Sequence, residues 1–446
     1  MGAEQEFGRY LQYLCEGLGH ADRHEGLTGY CRGLMLPLER KSVEPLAAGI
    51  DPQQVRARHQ SLHHFVAQSD WSDTAVLERV RDWVLPRMSG PLYWIVDDTG
   101  FPKKGNHSVG VARQYCGQLG KQDNCQVAVS LSVASEESSL PIAFRLFLPK
   151  PWAEDAQRRK QAHIPREIAP ATKPDIALAQ IYEALDAGVA PGVVLTDAGY
   201  GNGSQFREGL RSRYLTYAVG IQSTTTVWAP GMEPLPPEPW SGGRGRPPKR
   251  LRRTADHAPL SVRDLAMGLD AQCWKRVKWR QGTKSELASR FAAVRVRSAH
   301  RDYKQITPSP MEWLLIEWPR HEAEPIKYWL SNLPGDTRLQ RLVHTAKMRW
   351  RIERDYQELK QEFGLSDYEG RGWRGFHHHA TLCIAAYGFI TAQRLGSGSK
   401  KNFVRRQEFA LPEDYVPRGR PATPAPRRKL NTDPALADRL VPDPAS

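Results

Sequence analysis

Residues 91–100 read PLYWIVDDTG. An aromatic and β-branched run that stops on two acids and a turn glycine is the pattern of a buried strand ending at the edge of a sheet. Downstream, QVAVSLSV (126–133) alternates Val127, Val129, Leu131 and Val133 with polar neighbours, and LPIAFRLFLP (140–149) follows a turn, so three strands form an antiparallel meander. KPDIALAQIYEALDAG (173–188) then predicts a helix that Gly188 stops, followed by a strand in GVVLTDAGYG (192–201), a helix in GSQFREGLRS (203–212) and a strand in LTYAVGI (215–221). Upstream the texture is helical: FGRYLQYLCEGL (7–18) and DTAVLERVRDWVLPRM (73–88) carry apolar residues at three- and four-residue spacing, with Ser72 and Asp73 available as caps.

Beyond residue 221 the pattern loosens. APGMEPLPPEPWSGGRGRPPKRLRR (229–253) cannot be one regular element, whereas FAAVRVRSA (291–299) and EWLLIEW (312–318) read as strands. IKYWLSNLP (326–334) leads back to a helical stretch that ends near Leu395, and the chain after residue 400 is dominated by Pro, Arg and Ala. The expected partition is a helical domain at 1–90, an α/β core in two parts at 91–221 and 323–398, a β-rich insertion at 222–322 and a disordered basic tail at 399–446.

Bulk composition bounds the partners. The 446 residues carry 63 Lys and Arg against 49 Asp and Glu, a formal charge of +14 that favours a polyanion such as nucleic acid. Neither a signal segment nor an apolar run of membrane-spanning length is present, so a cytoplasmic protein without a membrane partner is expected. The six cysteines form no CxxC pair, which argues against a disulfide framework or a zinc ribbon.

Carboxylates carry the chemistry. On a helical wheel for RWRIERDYQELKQEFG (349–364), Ile352, Tyr356, Leu359 and Phe363 share one arc while Arg349, Glu353 and Lys360 line the arc beside it. Alone this is a surface ion-pair ladder; Glu358 and Glu362 face elsewhere and read as solvated. Two further acids end strands, Asp98 in WIVDD and Asp197 in VVLTD. Three carboxylates meeting at a point repel one another unless a divalent cation neutralises them, and hard oxygen donors suit Mg2+, as a pair of ions, with Mn2+ able to substitute.

DDTG, TDAGYG and RWRIE followed by a lysine seven residues after the glutamate resemble the DDE transposases of bacterial insertion sequences, closest to the cut-and-paste group with a Tyr-Arg-Glu-Lys signature. The resemblance covers residues 91 to 395, with weaker support from SLHHFVAQSDWSD (61–73). It implies an α/β fold: an RNase H-like mixed sheet flanked by helices, a β-rich insertion and an N-terminal helical domain. Asp98, Asp197 and Glu353 would be the catalytic and metal-binding triad, Arg349 and Lys360 the signature's phosphate contacts, and the signature tyrosine falls on Ala346. Asp97 is the alternative to Asp98, because neighbours on a strand face opposite ways. The implied activity is metal-dependent cleavage at element ends and transfer of the 3′-hydroxyl into target DNA by a homodimer on double-stranded DNA. A nuclease or resolvase that cuts without joining, and a catalytically dead regulator, are the other readings.

Further DNA contacts are expected from Lys103 and Lys104 in GFPKKGNHSVG (100–110), and from Arg244, Arg246, Lys249 and Arg250 in RGRPPKRLRR (244–253). RGRP, repeated at 418–421, resembles a minor-groove AT-hook core and in the tail reads equally as a solvated linker. Trp313 and Trp329 are candidate base stackers, with core packing favoured. His377, His378 and His379 diverge by about 100° per residue on a helix and cannot ligate one ion, so packing or phosphate contact is expected.

Overall fold

The computed structural model describes residues 2–240, 242, 248–281 and 286–396. Arg244, Arg246 and both RGRP copies lie outside these residues. Five helices come first, α1 (Ala3–Cys15), α2 (His24–Met35), α3 (Val43–Ile50), α4 (Val55–Ala67) and α5 (Asp73–Val84). Ser72 caps α5 by accepting from the Ala75 amide. The sheet then begins with β1 (Tyr93–Pro102), β2 (Ala112–Cys116), β3 (Lys121–Ala134) and β4 (Ser139–Leu146). Short β2, half polar along its length, is the strand that the alternation pattern does not reveal.

Helices α6 (Lys150–Ala153), α7 (Ala156–Gln161) and α8 (Lys173–Asp186) lead to β5 (Val193–Thr196), α9 (Ala198–Gly201), α10 (Ser204–Ser212) and β6 (Tyr217–Ile221). A Thr172–Asp175 capping box starts α8, and Gly188 follows it at φ 75°. Next come β7 (Thr226–Trp228), β8 (Leu260–Ser261), α11 (Val262–Met267), β9 (Lys275–Gln281), β10 (Glu286–Ser298), β11 (Met311–Trp318) and β12 (Lys327–Ser331). The chain closes with α12 (Leu339–Lys347), α13 (Trp350–Gln361) and α14 (Trp373–Gly396).

All twelve strands form one sheet, with the path β2-β3-β1-β5-β6-β12-β11-β10-β7-β8, β4 paired to β3 and β9 to β10. The β-rich stretch expected to hang from the core thus extends its sheet. β1 and β5 run parallel, as do β5 and β6, and most other pairs are antiparallel, giving the mixed α/β architecture expected. The N-terminal helices have no separate core: Tyr10, Tyr30 and Val80 lie in the same buried cluster as Trp94 of β1 and Ile384 of α14. Tyr10 also donates to the Ala385 carbonyl. No helix among the described residues is long and apolar enough to cross a membrane.

Lys347 ties the outer strands to the helices. Its Nζ lies 2.6 Å from Glu317 Oε2 and 4.2 Å from the Trp279 ring centre, with Phe291 and Trp329 also beneath it. The charge is paired and the rings favour a cation, so burial is tolerated. Trp329 is thereby a core residue, and Trp313 donates to the Pro334 carbonyl.

Gly220 on β6 fixes the approach of the turn after β5. A Cβ there would sit 2.9 Å from both the Ala198 nitrogen and the Asp197 carbonyl carbon, so only glycine lets this backbone seat against the strand. Gly220→Ala is expected to destabilise the fold by about 1–3 kcal/mol, read as a lower urea midpoint; an unchanged midpoint would show that the turn yields freely.

Candidate active site

Acids meet where β5 ends beside the middle of β1, which runs on to Pro102. β1 and β5 pair as Tyr93↔Val193, Trp94↔Val194 and Ile95↔Leu195, and the same register carried two residues further sets Asp97 abreast of Asp197. Pleating puts alternate side chains on opposite faces. Tyr93, Ile95 and Leu195 pack with Met348, Ile352 and Tyr356, so Asp97 belongs to the face covered by α13. The Tyr356 hydroxyl hydrogen-bonds Ser130 at 2.8 Å, and Ser130 is the β3 residue directly opposite Asp97.

Asp98 looks the other way. Its Oδ2 accepts from Lys173 Nζ at 2.9 Å and from the Tyr200 hydroxyl at 3.3 Å. Lys173 starts α8, which packs on the face that holds Trp94 and Val96. A groove of about 630 Å³ opens there, lined by Asp98, Lys173, Tyr200, Phe147 and, at the boundary between the faces, Asp197. Strand alternation thus puts Asp97, the alternative acid, on the side of Glu353, while Asp98, the acid expected there, shares its groove with Asp197. Asp197 lies one residue past β5 and accepts from the Gly199 amide at 2.9 Å.

Arg349 sits between the acids of that face. Its Nη1 donates to Asp97 Oδ2 at 2.5 Å, and its Nη2 is 3.8 Å from Glu353 Oε1. Glu353, one turn along α13, keeps 69% of its side chain exposed. Burial pushes the Asp97 carboxyl up to about 6; Arg349 opposes the shift, while Asp197 and Asp98 add to it. For Arg349, burial acts downward, but Asp97, Asp197 and Glu353 together raise it. Among the described residues, no three His, Cys, Asp or Glu side chains stand close enough together to hold a metal ion as they lie. The donors on offer are nonetheless all carboxylate oxygens in a cluster with surplus negative charge, the chemistry that suits a hard divalent cation.

The basic residues expected at DNA divide. Lys360 donates to the Gly100 carbonyl at 2.8 Å and to Gln118, and burial brings it down to about 8. Lys103 is similarly turned inward, donating to the Tyr368 carbonyl at 2.8 Å, and burial lowers it. Lys104, Lys249 and Arg250 are exposed. The three histidines of α14 are buried among hydrogen-bonding groups: His377 accepts from the Leu146 amide, His378 lies between the Val66 and Trp71 carbonyls, and His379 meets Tyr30 and the Gly364 carbonyl. Glu362 is exposed, but Glu358 is not the solvated acid expected, since it pairs with Arg354 and Arg394 and is 15% exposed.

Two residues of consequence escaped sequence reasoning. Lys173 carries no pattern that points it at a strand 75 residues earlier. Asp355 did leave a signal, because on the wheel it flanks the apolar arc next to Leu359, on the side away from Glu353. It is 1% exposed, accepts from the Ser139 and Tyr387 hydroxyls, and has no partner for Oδ2.

With this geometry in place, the comparisons with known proteins are direct. The family described as DDE superfamily endonuclease matches residues 13–286, a span that includes Asp97, Asp98 and Asp197 and stops before Glu353. The chain belongs to that family. It is 33% identical over 200 residues to a probable transposase for insertion sequence element IS701 from Microchaete diplosiphon, an alignment covering 44% of this chain and 48% of the relative. The match therefore spans about half the relative's length. The structure of a piggyBac transposase synaptic complex with hairpin DNA aligns at a TM-score of 0.35 and 9% identity, covering 77% of this chain and 52% of that one.

Burial pushes Asp355 from 3.8 up to about 6, against the two hydroxyl hydrogen bonds that lower it. A folded value above the unfolded one means that the folded state holds the proton more tightly, so stability falls as pH rises from about 4 to about 6. On the order of 3 kcal/mol is lost across that window. Asp97 adds in the same sense. Asp355→Asn is expected to flatten this part of the stability profile, measured by denaturant unfolding at successive pH values; a profile as steep as the parent's would refute the assignment.

Proposed function

We propose that this protein is a transposase of the insertion-sequence type, which cuts DNA at element ends and joins the freed 3′-hydroxyl to target DNA. The observation that carries the reading is the placement of Asp97 beside Asp197 where β5 ends against β1, with Arg349 at the start of α13 and Glu353 within it over the same face. Superfamily members generally use divalent metal ions. Here Asp97, Asp197 and Glu353 would hold them, Mg2+ in the first instance. Such ions supply Lewis acidity and a nucleophile at neutral pH, and a pair can stabilise both attacking and leaving oxygens.

The chain's own residues prepare this. The β1–β5 register fixes the two aspartates, and the Gly199 amide orients Asp197. α13 delivers Glu353 from an exposed position, where it can turn toward the aspartates without breaking a buried contact. Asp97 must ionise to act as a ligand, and its elevated value makes ionisation incomplete below about pH 6. Lys173 neutralises Asp98, which would otherwise place another bare negative charge beside an incoming phosphate. Exposed Lys104, Lys249 and Arg250 and the net charge of +14 suit a DNA partner, with a homodimer as the joining assembly.

Asp197→Ala is expected to abolish Mg2+-dependent cleavage of duplexes carrying the element ends while leaving their binding within severalfold of the parent, measured by gel cleavage and anisotropy. Retained cleavage would refute the metal centre; cutting without joined products would favour a nuclease. In the same assays Asp97→Asn should be as damaging as Asp197→Ala, whereas Asp98→Asn should retain cleavage. The reverse order would return the ligand role to Asp98.

A further inference from the structure

Arg349 is the shared counter-ion of the cluster. Its guanidinium holds Asp97 Oδ2 at 2.5 Å, stands 3.8 Å from Glu353 Oε1, and also feels the charge of Asp197. The other cations close to β1 are occupied differently. Lys103 and Lys360 donate to neutral backbone carbonyls, and Lys173 is bound to Asp98 on the opposite face. The Asp97–Arg349 contact is shielded, with side chains 15% and 26% exposed, so water does little to weaken it.

A divalent cation that ligates Asp97 competes for the oxygen that Arg349 now holds. Both cannot keep it without bringing positive charges into contact. A guanidinium fork fits a phosphate as well as it fits a carboxylate, so a released Arg349 has a ready second partner wherever DNA approaches the cluster. We propose that Arg349 is a displaceable counter-ion: a divalent cation binding at Asp97 frees it, and the freed guanidinium grips a DNA phosphate, coupling metal loading to DNA affinity through one side chain. This rests on the reading of the site as a DNA-cleaving metal centre. Linkage makes the coupling reciprocal, so DNA tightens metal binding by the same factor that metal tightens DNA binding.

A double-mutant cycle tests it without cleavage. Anisotropy of a labelled duplex is measured in chelator for the parent, Asp97→Asn, Arg349→Gln and the double variant. Asp97→Asn should tighten DNA binding by about fivefold or more, because it releases Arg349 without metal. That gain should vanish in the Arg349→Gln background. An equal gain in both backgrounds would mean that removing a negative charge is the whole effect, and would overturn the proposal. Calorimetric Mn2+ titration of the protein without DNA is an independent reading: Arg349→Gln should bind Mn2+ more tightly than the parent, Arg349→Lys should fall between them, and unchanged or weaker binding would also overturn it. Cleavage retained by Asp197→Ala would sink the metal-centre reading itself. Equal gains in the cycle, with cleavage lost in Asp197→Ala, would sink only the counter-ion exchange.

Discussion

Two carboxylates on adjacent parallel strands, Asp97 within β1 and Asp197 just past the end of β5, repel each other, and the surrounding structure reads as the means of holding them there. The β1–β5 register sets Asp97 beside Asp197. The close seating of the following turn on Gly220 keeps Asp197 from retreating. Arg349 then balances the charge from above, anchored in a helix whose buried face, Ile352 and Tyr356, packs on the same strands. Burial, with Asp197 and Asp98 adding to it, outweighs Arg349 and leaves the Asp97 carboxyl raised.

Positive charge in this protein serves two ends. The excess of Lys and Arg suggests a surface made for a polyanion, yet several cations nearest the acids are structural. Lys360 and Lys103 stitch loops to backbone carbonyls, and Lys347 locks the outer strands onto α12 through Glu317 and three aromatic rings. Lys173 pairs with Asp98. A lysine stem buries well while its ammonium keeps a partner, so proximity to an active site in sequence is weak evidence of contact with DNA.

The body around the site is more continuous than the sequence textures imply. Helices of the first ninety residues pack on α14, from the other end of the chain, and β10 and β11 lengthen the central sheet. The histidine run of α14 belongs to this integration. Each imidazole bonds to backbone or hydroxyl groups of distant segments, and burial lowers all three, so they serve as structural connectors.

Local pattern determined much of this by itself. The strand through DDTG, although it runs on to Pro102 instead of stopping there, the strand ending in TD, the capped helix between them and the glutamate helix were all legible, because periodicity and caps are properties of contiguous residues. Asp197 and Glu353 were legible as candidates for the same reason. Which of Asp97 and Asp98 lies on the Glu353 face was not, since two neighbours on a strand differ only in the face they take, and that face is set by what packs on each side. Short β2, the Lys173–Asp98 pair, the inward turn of Lys360 and the extension of the sheet by the outer strands likewise depended on contacts between segments far apart in the chain. Only the tertiary structure decided them, because hydrogen bonds and ion pairs across such separations leave no local periodicity to read.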